Sequence, residues 1–453
     1  MRNVPFLLQP FERRREYDRI SALPDPLITE ILLWLPTRDS VKTSVLSTQW
    51  RNLWLDVPGL DIKFLFSNAK TITSFIERFL EFNRDARMRK FKITYDTSKG
   101  HDPFGIREWI ATAISRGAQH LDVVDTFLRY MSFKEFMPLD IYKSKTLVSL
   151  KLVEVRMSNP DFVVSLPCLK NMHLEKIMYS GEDPSFMEKL ISGCPVLEDL
   201  TVFRSSDDNV LVLRVTSKSL KRFRVWSDRW SRSNSREFAL EIDASGLKYM
   251  KLGDQQSKRI VVKNLRSLFM IDIDSIFNGG SNTNLEMKKD TTRDFLNGIS
   301  RVRHMIVPQL TLEVLYRYLG SNIPIFPNLK HLTLCVVYLP FSFWQCIMYL
   351  NNLNVEKHEG SIVPQCLLST LECVEIREFT GEETRTKKKI MKQKKGTFDP
   401  LMNVARYILE NSLVLNHFDS LSCNQPNLGY RQGASYNQKR IFSKTWVFNY
   451  LTF

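Results

Sequence analysis

Residues 191–202, ISGCPVLEDLTV, place Leu197, Leu200 and Val202 in the spacing φ-x-x-φ-x-φ, and the same spacing returns along most of the chain. Earlier copies are Met88-Phe91-Ile93, Ala118-Leu121-Val123, Leu147-Leu150-Leu152 and Leu169-Met172-Leu174. Later ones are Leu220-Phe223-Val225, Leu247-Met250-Leu252, Leu265-Leu268-Met270, Leu329-Leu332-Leu334 and Leu371-Val374-Ile376. Successive copies start 18 to 30 residues apart, except for gaps of 64 and 42, and a weaker copy at Ile299-Val302-His304 divides the longer one. Periods of about 20–50 residues mark stacked units, each of which buries its apolar side against its neighbours.

Helix-period stripes precede some copies: Ile72-Phe75-Ile76-Phe79-Leu80 and Ile106-Trp109-Ile110-Ala113-Ile114 both fall at i, i+3, i+4, i+7, i+8. Helix then strand, repeated, predicts an α/β solenoid of the leucine-rich-repeat kind over 70–360. The Asn or Cys of a regular repeat is missing, since Val155, Ile177 and Ser205 stand eight residues after the first apolar residue of their copies, so the expected horseshoe is irregular.

Side chains on a strand alternate, so the residues between the buried ones point to the concave face. They are Asp199, Thr201 and Phe203, then Arg222, Arg224 and Trp226, then Tyr249, Lys251 and Gly253, then Ser267, Phe269 and Ile271. Arg222, Arg224, Trp226, Tyr249, Lys251 and Phe269 are the substrate-binding candidates: cations beside aromatic rings suit an acidic or phosphorylated peptide. The alternative is an ordinary solvated face.

Residues 18–58 differ from the repeats. Pro24, Leu27, Ile28, Ile31, Leu32 and Leu35 form one helical stripe that Pro36 stops. Thr37 or Asp39 can cap a second segment with Val41, Val45 and Leu46, and Ser47 a third with Trp50, Leu53 and Trp54, which predicts three packed helices. So small and apolar a unit is completed either by the next domain or by another protein.

At the other end, residues 382–396 form a basic insertion in which Arg385, Lys387, Lys388, Lys389, Lys392, Lys394 and Lys395 crowd together, and a flexible exposed loop is expected there. A helix with Leu401, Val404, Ala405, Ile408 and Leu409 on one face follows, and residues 424–453 are an aperiodic tail.

The 453 residues carry 64 Lys+Arg against 49 Asp+Glu, a formal +15, with 43% hydrophobic residues, which is ample for a large core and excludes a disordered or fibrous chain. Seven scattered cysteines without a CxxC pair fit reduced thiols. The opening MRNVPFLLQPFERRRE lacks a secretory pattern and no window is apolar enough to span a bilayer, so a soluble protein of the nucleus and/or cytoplasm is expected.

LPDPLITEILLWLP (23–36) followed by SVLSTQWRNLW (44–54) resembles the F-box, and DRIS (18–21) resembles its plant subtype. ISGCPVLEDLTV is similar to the family's leucine-rich repeats, while VPQCLLSTLECVEI (363–376), the basic insertion and MNVARYILENSLVL (402–415) resemble the FBD region. The chain is thereby identified as a member of the plant F-box/leucine-rich-repeat/FBD proteins, with an α+β fold: F-box 18–58, repeats 70–360, an FBD-like β/α segment 361–423. The resemblance implies a non-catalytic substrate-recognition subunit of an SCF-type ubiquitin ligase. Its F-box would dock on a Skp-type adaptor, which links it to a cullin and a RING subunit, while the repeats hold the protein substrate. Carried over, Leu23, Pro24, Ile28, Ile31, Leu32, Leu35, Val45, Leu46, Trp50 and Trp54 are the adaptor-binding candidates, with Leu23, Pro24 and Trp50 foremost. Thr48 and Gln49 stand where the family has two basic residues before the Trp.

Rival readings have less support. No GxxxxGK[ST], GxGxxG, HExxH or GxSxG occurs, the seven His are dispersed, and no metal, cofactor or catalytic residue is expected. A nucleic-acid binder would rest on the charge and the lysine run alone, with no helix-turn-helix, zinc-finger or RNP pattern, and a nuclear-import signal explains the run as well. A third reading keeps the F-box or the repeats as an interaction scaffold without ligase function.

Overall fold

The computed structural model describes residues 20, 22–64, 69–82, 86–96, 103–126, 137–180, 185–205, 210–227, 238–254, 257–273, 285–308, 311, 324, 326–337, 373–379 and 388–392. The chain divides into two compact units, residues 1–126 and 127–453.

In the first unit, helices α1 (Asp25–Leu32) and α2 (Thr37–Lys42) are separated by a turn over residues 33–36, which ends in the Pro36 ring that cannot continue a helix. The expected third helix does not form. Thr43–Val45 and Leu53–Asp56 are single 3-10 turns, and the interior closes instead through Ile28, Leu32, Leu33, Trp50, Leu53 and Val57, all buried. The N-cap of α2 is Pro36, which has no side-chain acceptor to cap with, and the Thr37 hydroxyl, expected as a cap, accepts instead from the Asp61 amide at 2.8 Å. Strands β1 (Gly59–Phe64), β2 (Lys90–Tyr95) and β3 (His120–Asp125) pair in parallel, with α3 (Ala69–Phe82) and α4 (Pro103–Ser115) as the crossovers. The α4 stripe Ile106-Trp109-Ile110-Ala113-Ile114 is buried throughout; on α3, Ile76, Phe79 and Leu80 are buried. β1 adds a copy of the repeat that the spacing did not reveal, since Leu60 pairs with Phe91 and Ile62 with Ile93.

The second unit contains β4 (Ser149–Val153), β5 (Arg156–Met157), β6 (Asn171–Glu175), β7 (Met178–Tyr179), α5 (Phe186–Ser192), β8 (Asp199–Arg204), β9 (Val212–Thr216), β10 (Arg222–Ser227), β11 (Phe238–Asp243), β12 (Tyr249–Gly253), β13 (Ser257–Lys263) and β14 (Met270–Ile273). α6 (Leu285–Gly298), β15 (His304–Pro308), β16 (His331–Val337), β17 (Cys373–Phe379) and β18 (Lys388–Lys392) follow. A parallel ladder runs β4-β6-β8-β10-β12-β14-β15-β16-β17, and β18 closes its edge in antiparallel pairing. Each repeat contributes its second and third apolar residues to the buried face: Leu150 and Leu152, Met172 and Leu174, Leu200 and Val202, Phe223 and Val225, Met250 and Leu252 are at most 3% exposed. Burying each such side chain contributes about 1.5–3 kcal/mol, which makes the column the main source of cohesion.

Helices are fewer than the helix-then-strand expectation. The return segments of three central repeats are strands β9, β11 and β13, which form their own parallel sheet, with α5 packed on β9 and α6 on β13. Their sequences VLRVT, FALEID and SKRIVVK alternate with period two and are rich in branched residues, so they suit strands rather than helices. One residue before the position where the regular repeat has its Asn, Glu154 and Lys176 take positive φ (55° and 50°), and Val155 and Ile177 at that position are buried. The Glu154 and Lys176 amides donate to the carbonyls of Glu175 and Phe203 at 2.8 Å each.

Two further expectations are corrected. Met250 pairs with Ile271 and Leu252 with Ile273, so the eighth copy is Leu268-Ile271-Ile273 and not Leu265-Leu268-Met270. The weak copy shifts in the same way, to Val302-Met305-Val307. Lys388–Lys392, expected in a loop, lie in β18, where they satisfy the open backbone edge of β17. The remainder of the basic insertion, the 401–409 helix and the 424–453 tail lie outside the described residues.

Candidate functional site

The first candidate surface lies on the helical segment. Of its ten predicted residues, Ile28, Leu32 and Trp50 are 0%, 1% and 4% exposed and fill the interior, so they support the surface rather than present it. Leu23 packs partly buried against that core. Trp54 is half-buried, its ring stacked on Phe75 with centroids 6.3 Å apart. Pro24, Ile31, Leu35, Val45 and Leu46 face solvent, Val45 at 85%. Trp34 (68%), Leu27 and Ile20 are also exposed and were absent from the predicted set. Seven of the thirteen exposed large apolar residues described fall between Ile20 and Leu46, so the exposure is concentrated rather than scattered. Gln49 helps hold this surface, its Nε2 donating to Asp25 Oδ1 at 2.9 Å.

The unit is fixed to its strands by charge as well as packing. Lys90 Nζ reaches Asp61 at 2.8 Å and the Leu33 carbonyl at 3.3 Å, and Arg89 Nη1 lies 2.6 Å from Glu30.

The second surface is the open side of the ladder in the second unit. Register places Asp199, Arg222, Tyr249, Met270, His304 and His331 in one row, and Thr201, Arg224, Lys251, Asp272, Ile306 and Thr333 in the next. Arg222, Arg224, Tyr249, Lys251 and Trp226 therefore share one face. Phe269 does not occupy its expected strand position beside Lys251, because the register puts Asp272 there; it precedes β14, 44% exposed, with its ring 4.5 Å from His304. The cations carry counterions that strand alternation could not foretell. Arg224 Nη1 lies 2.8 Å from Asp199, and Lys251 Nζ 3.0 Å from Asp272. Trp226 stands edge-on to Phe203 at 5.6 Å, and the Arg224 guanidinium lies 5.7 Å from the Tyr249 ring. Burial, followed by the Asp272 charge, pushes the Tyr249 phenol above its ordinary value. His304 and His331 stack at 4.2 Å; burial, His331 and Arg303 hold His304 below the ordinary imidazole value.

No group of three His, Cys, Asp or Glu among the described residues is placed to hold a metal ion. What the two surfaces offer is contact: an apolar patch, and a charged and aromatic strand face.

The F-box domain family matches residues 20–60, the LRR repeats of FBD-associated F-box protein At5g56370 match 106–271, and FBD matches 358–392. F-box/FBD/LRR-repeat protein At2g26030 of Arabidopsis thaliana is 46% identical over 93% of this chain and 97% of its own length. The chain belongs to the F-box/FBD/LRR-repeat protein family. Putative F-box/FBD/LRR-repeat protein At5g44950 (45% identical, 92% of this chain, 96% of its own) and FBD-associated F-box protein At5g27750 (43%, 88% and 91%), both from the same plant, are similar over comparable spans. In this F-box/FBD/LRR-repeat chain the exposed apolar patch lies within the F-box match, and the Arg222–Lys251 face within the repeat match.

Proposed function

We propose that this protein is the substrate-recognition subunit of an SCF-type ubiquitin ligase. Its F-box docks on a Skp-type adaptor, which joins it to a cullin and a RING subunit, and the repeats hold a protein substrate. F-box domains generally bind Skp-type adaptors, and F-box/LRR proteins are generally non-catalytic adaptors of such ligases. In this reading residues 70–360 form the irregular solenoid, 361–423 its FBD-like close, and the protein works in the nucleus and/or cytoplasm. The observation that carries it is the cluster Leu27, Ile31, Trp34, Leu35, Val45 and Leu46, exposed over a small core that does not need them. A pull-down of the full chain on a purified Skp-type adaptor tests it. Wild type is expected to bind, and Val45→Glu and Trp34→Glu to lose binding while keeping the circular dichroism of the wild type. A folded wild type that captures no adaptor would make the repeats a free-standing interaction scaffold.

A further inference from the structure

The position immediately after the first apolar residue holds Val148 in the repeat of β4, and in the seven repeats from β6 to β16 it holds Lys170, Glu198, Lys221, Lys248, Phe269, Arg303 and Lys330. Register turns these into a single row. The Lys170 carbonyl accepts from the amides of Glu198 and Asp199, that of Glu198 from Lys221 and Arg222, and that of Lys221 from Lys248 and Tyr249. The row continues from Lys248 to Phe269, from Phe269 to Arg303 and from Arg303 to Lys330 by the same paired bonds. Neighbours are thus one strand spacing apart, about 4.8 Å, and the row runs roughly 29 Å from β6 to β16. Every member but Glu198 is exposed. Glu198 is engaged by Lys221 at 2.8 Å, a hydrogen bond that lowers its pKa. Lys170, Lys248 and Arg303 have no ion-pair partner among the described residues.

We propose that this row is the anion-recognising edge of the strand face and that it takes an extended acidic segment of a protein, with carboxylates or phosphorylated side chains on the cations and an apolar side chain on Phe269. The proposal rests on the substrate-receptor reading above and specifies the substrate. Aligned like charges repel one another, and an anionic ligand relieves that repulsion. Phe269, held against His304 at 4.5 Å, interrupts the charges with an exposed ring, which is where an apolar anchor would sit. An extended chain rises about 3.3 Å per residue, so about nine residues cover the row. Glu198 and the adjoining Asp199 oppose a uniformly charged phosphodiester backbone, whereas a peptide can place neutral residues opposite them; this favours protein over nucleic acid.

The test is fluorescence anisotropy on the full chain with labelled ten-residue peptides of alternating Glu and Gly around a central Phe. A phosphoserine version, a Lys version and a single-stranded ten-nucleotide DNA run in parallel, with adaptor capture measured on each sample. The Glu or phosphoserine peptide is expected to bind, the tighter of the two naming the anion, and to weaken with added salt. Lys248→Glu/Arg303→Glu is expected to lower that affinity by about tenfold with adaptor capture unchanged. Phe269→Ala should erase the advantage of Phe over Gly at the centre. Equal binding of the Lys peptide, no effect of the double reversal in a folded chain, or tighter binding of DNA would overturn the proposal. Loss of adaptor capture alone would count against the receptor reading and not against this edge.

Discussion

Arg222 Nε lies 2.7 Å from Asp199 Oδ2, while the other oxygen of the same carboxylate receives Arg224, so two guanidinium groups share one acid. Arg222 is about half-exposed, and such pairs contribute only about 0–1 kcal/mol. Asp199→Asn is therefore expected to leave thermal unfolding nearly unchanged and to raise affinity for the Glu or phosphoserine peptide several-fold. Anisotropy titration checks this, and a loss of affinity would show that Asp199 orients the guanidinium groups rather than competing for them.

Core and surface of the F-box should separate on substitution. Trp50 is 4% exposed within a small cluster, so Trp50→Ala is expected to destabilise the first unit by about 3–5 kcal/mol. Val45 is 85% exposed, so Val45→Glu should change stability by no more than about 0.5 kcal/mol while it abolishes adaptor capture. Chemical denaturation beside the pull-down distinguishes the two.

Gly193 illustrates how tightly the repeats stack. A Cβ there would stand 2.6 Å from Val164 Cγ1 and 2.7 Å from the Val164 carbonyl oxygen, and the latter cannot swing away as a side chain can. Gly193→Ala is expected to cost about 1–3 kcal/mol, read as a lowered melting temperature.

His304 is expected to titrate below the ordinary value of 6.5 because burial, His331 and Arg303 disfavour its protonated form. A base with a depressed folded-state pKa binds fewer protons than the unfolded chain, so its contribution is intact above the unfolded value and is lost as pH falls through 6.5 toward the folded one. His331→Gln should move the His304 imidazole resonance midpoint upward in an NMR titration, and an unchanged midpoint would remove His331 as a cause.

Thiol reactivity should follow burial. Burial pushes the Cys194 thiol up to about 12, whereas Cys168 is exposed. Iodoacetamide at neutral pH, followed by peptide mass mapping, is expected to label Cys168 in the native protein and Cys194 only after denaturation.

The repeat spacing was legible wherever a copy held few apolar residues. Leu197-Leu200-Val202 admits one phase, and the ladder keeps it. Leu265, Leu268, Phe269, Met270, Ile271 and Ile273 admit two, and only the hydrogen-bonded neighbours on β12 select the second. That slip of three residues is why alternation from Leu265 puts Phe269 level with Lys251, a position that Asp272 holds. β1 escaped notice because its copy, Val57-Leu60-Ile62, runs through Pro58-Gly59, which reads as a turn. The basic row was missed because a residue before a strand carries no periodic signal of its own.

Local chemistry written in the sequence determined the stops at Pro36, the α4 stripe, the repeated apolar triplets and the family motifs, because each depends on side chains within a few residues of one another. The tertiary structure decided which F-box residues are core and which are surface, the strand form of the central return segments, the pairing of Arg222 and Arg224 with Asp199, and the alignment of Lys170 through Lys330. These depend on register between segments some 20 to 30 residues apart, and a shift that is small along the chain changes every neighbour across it.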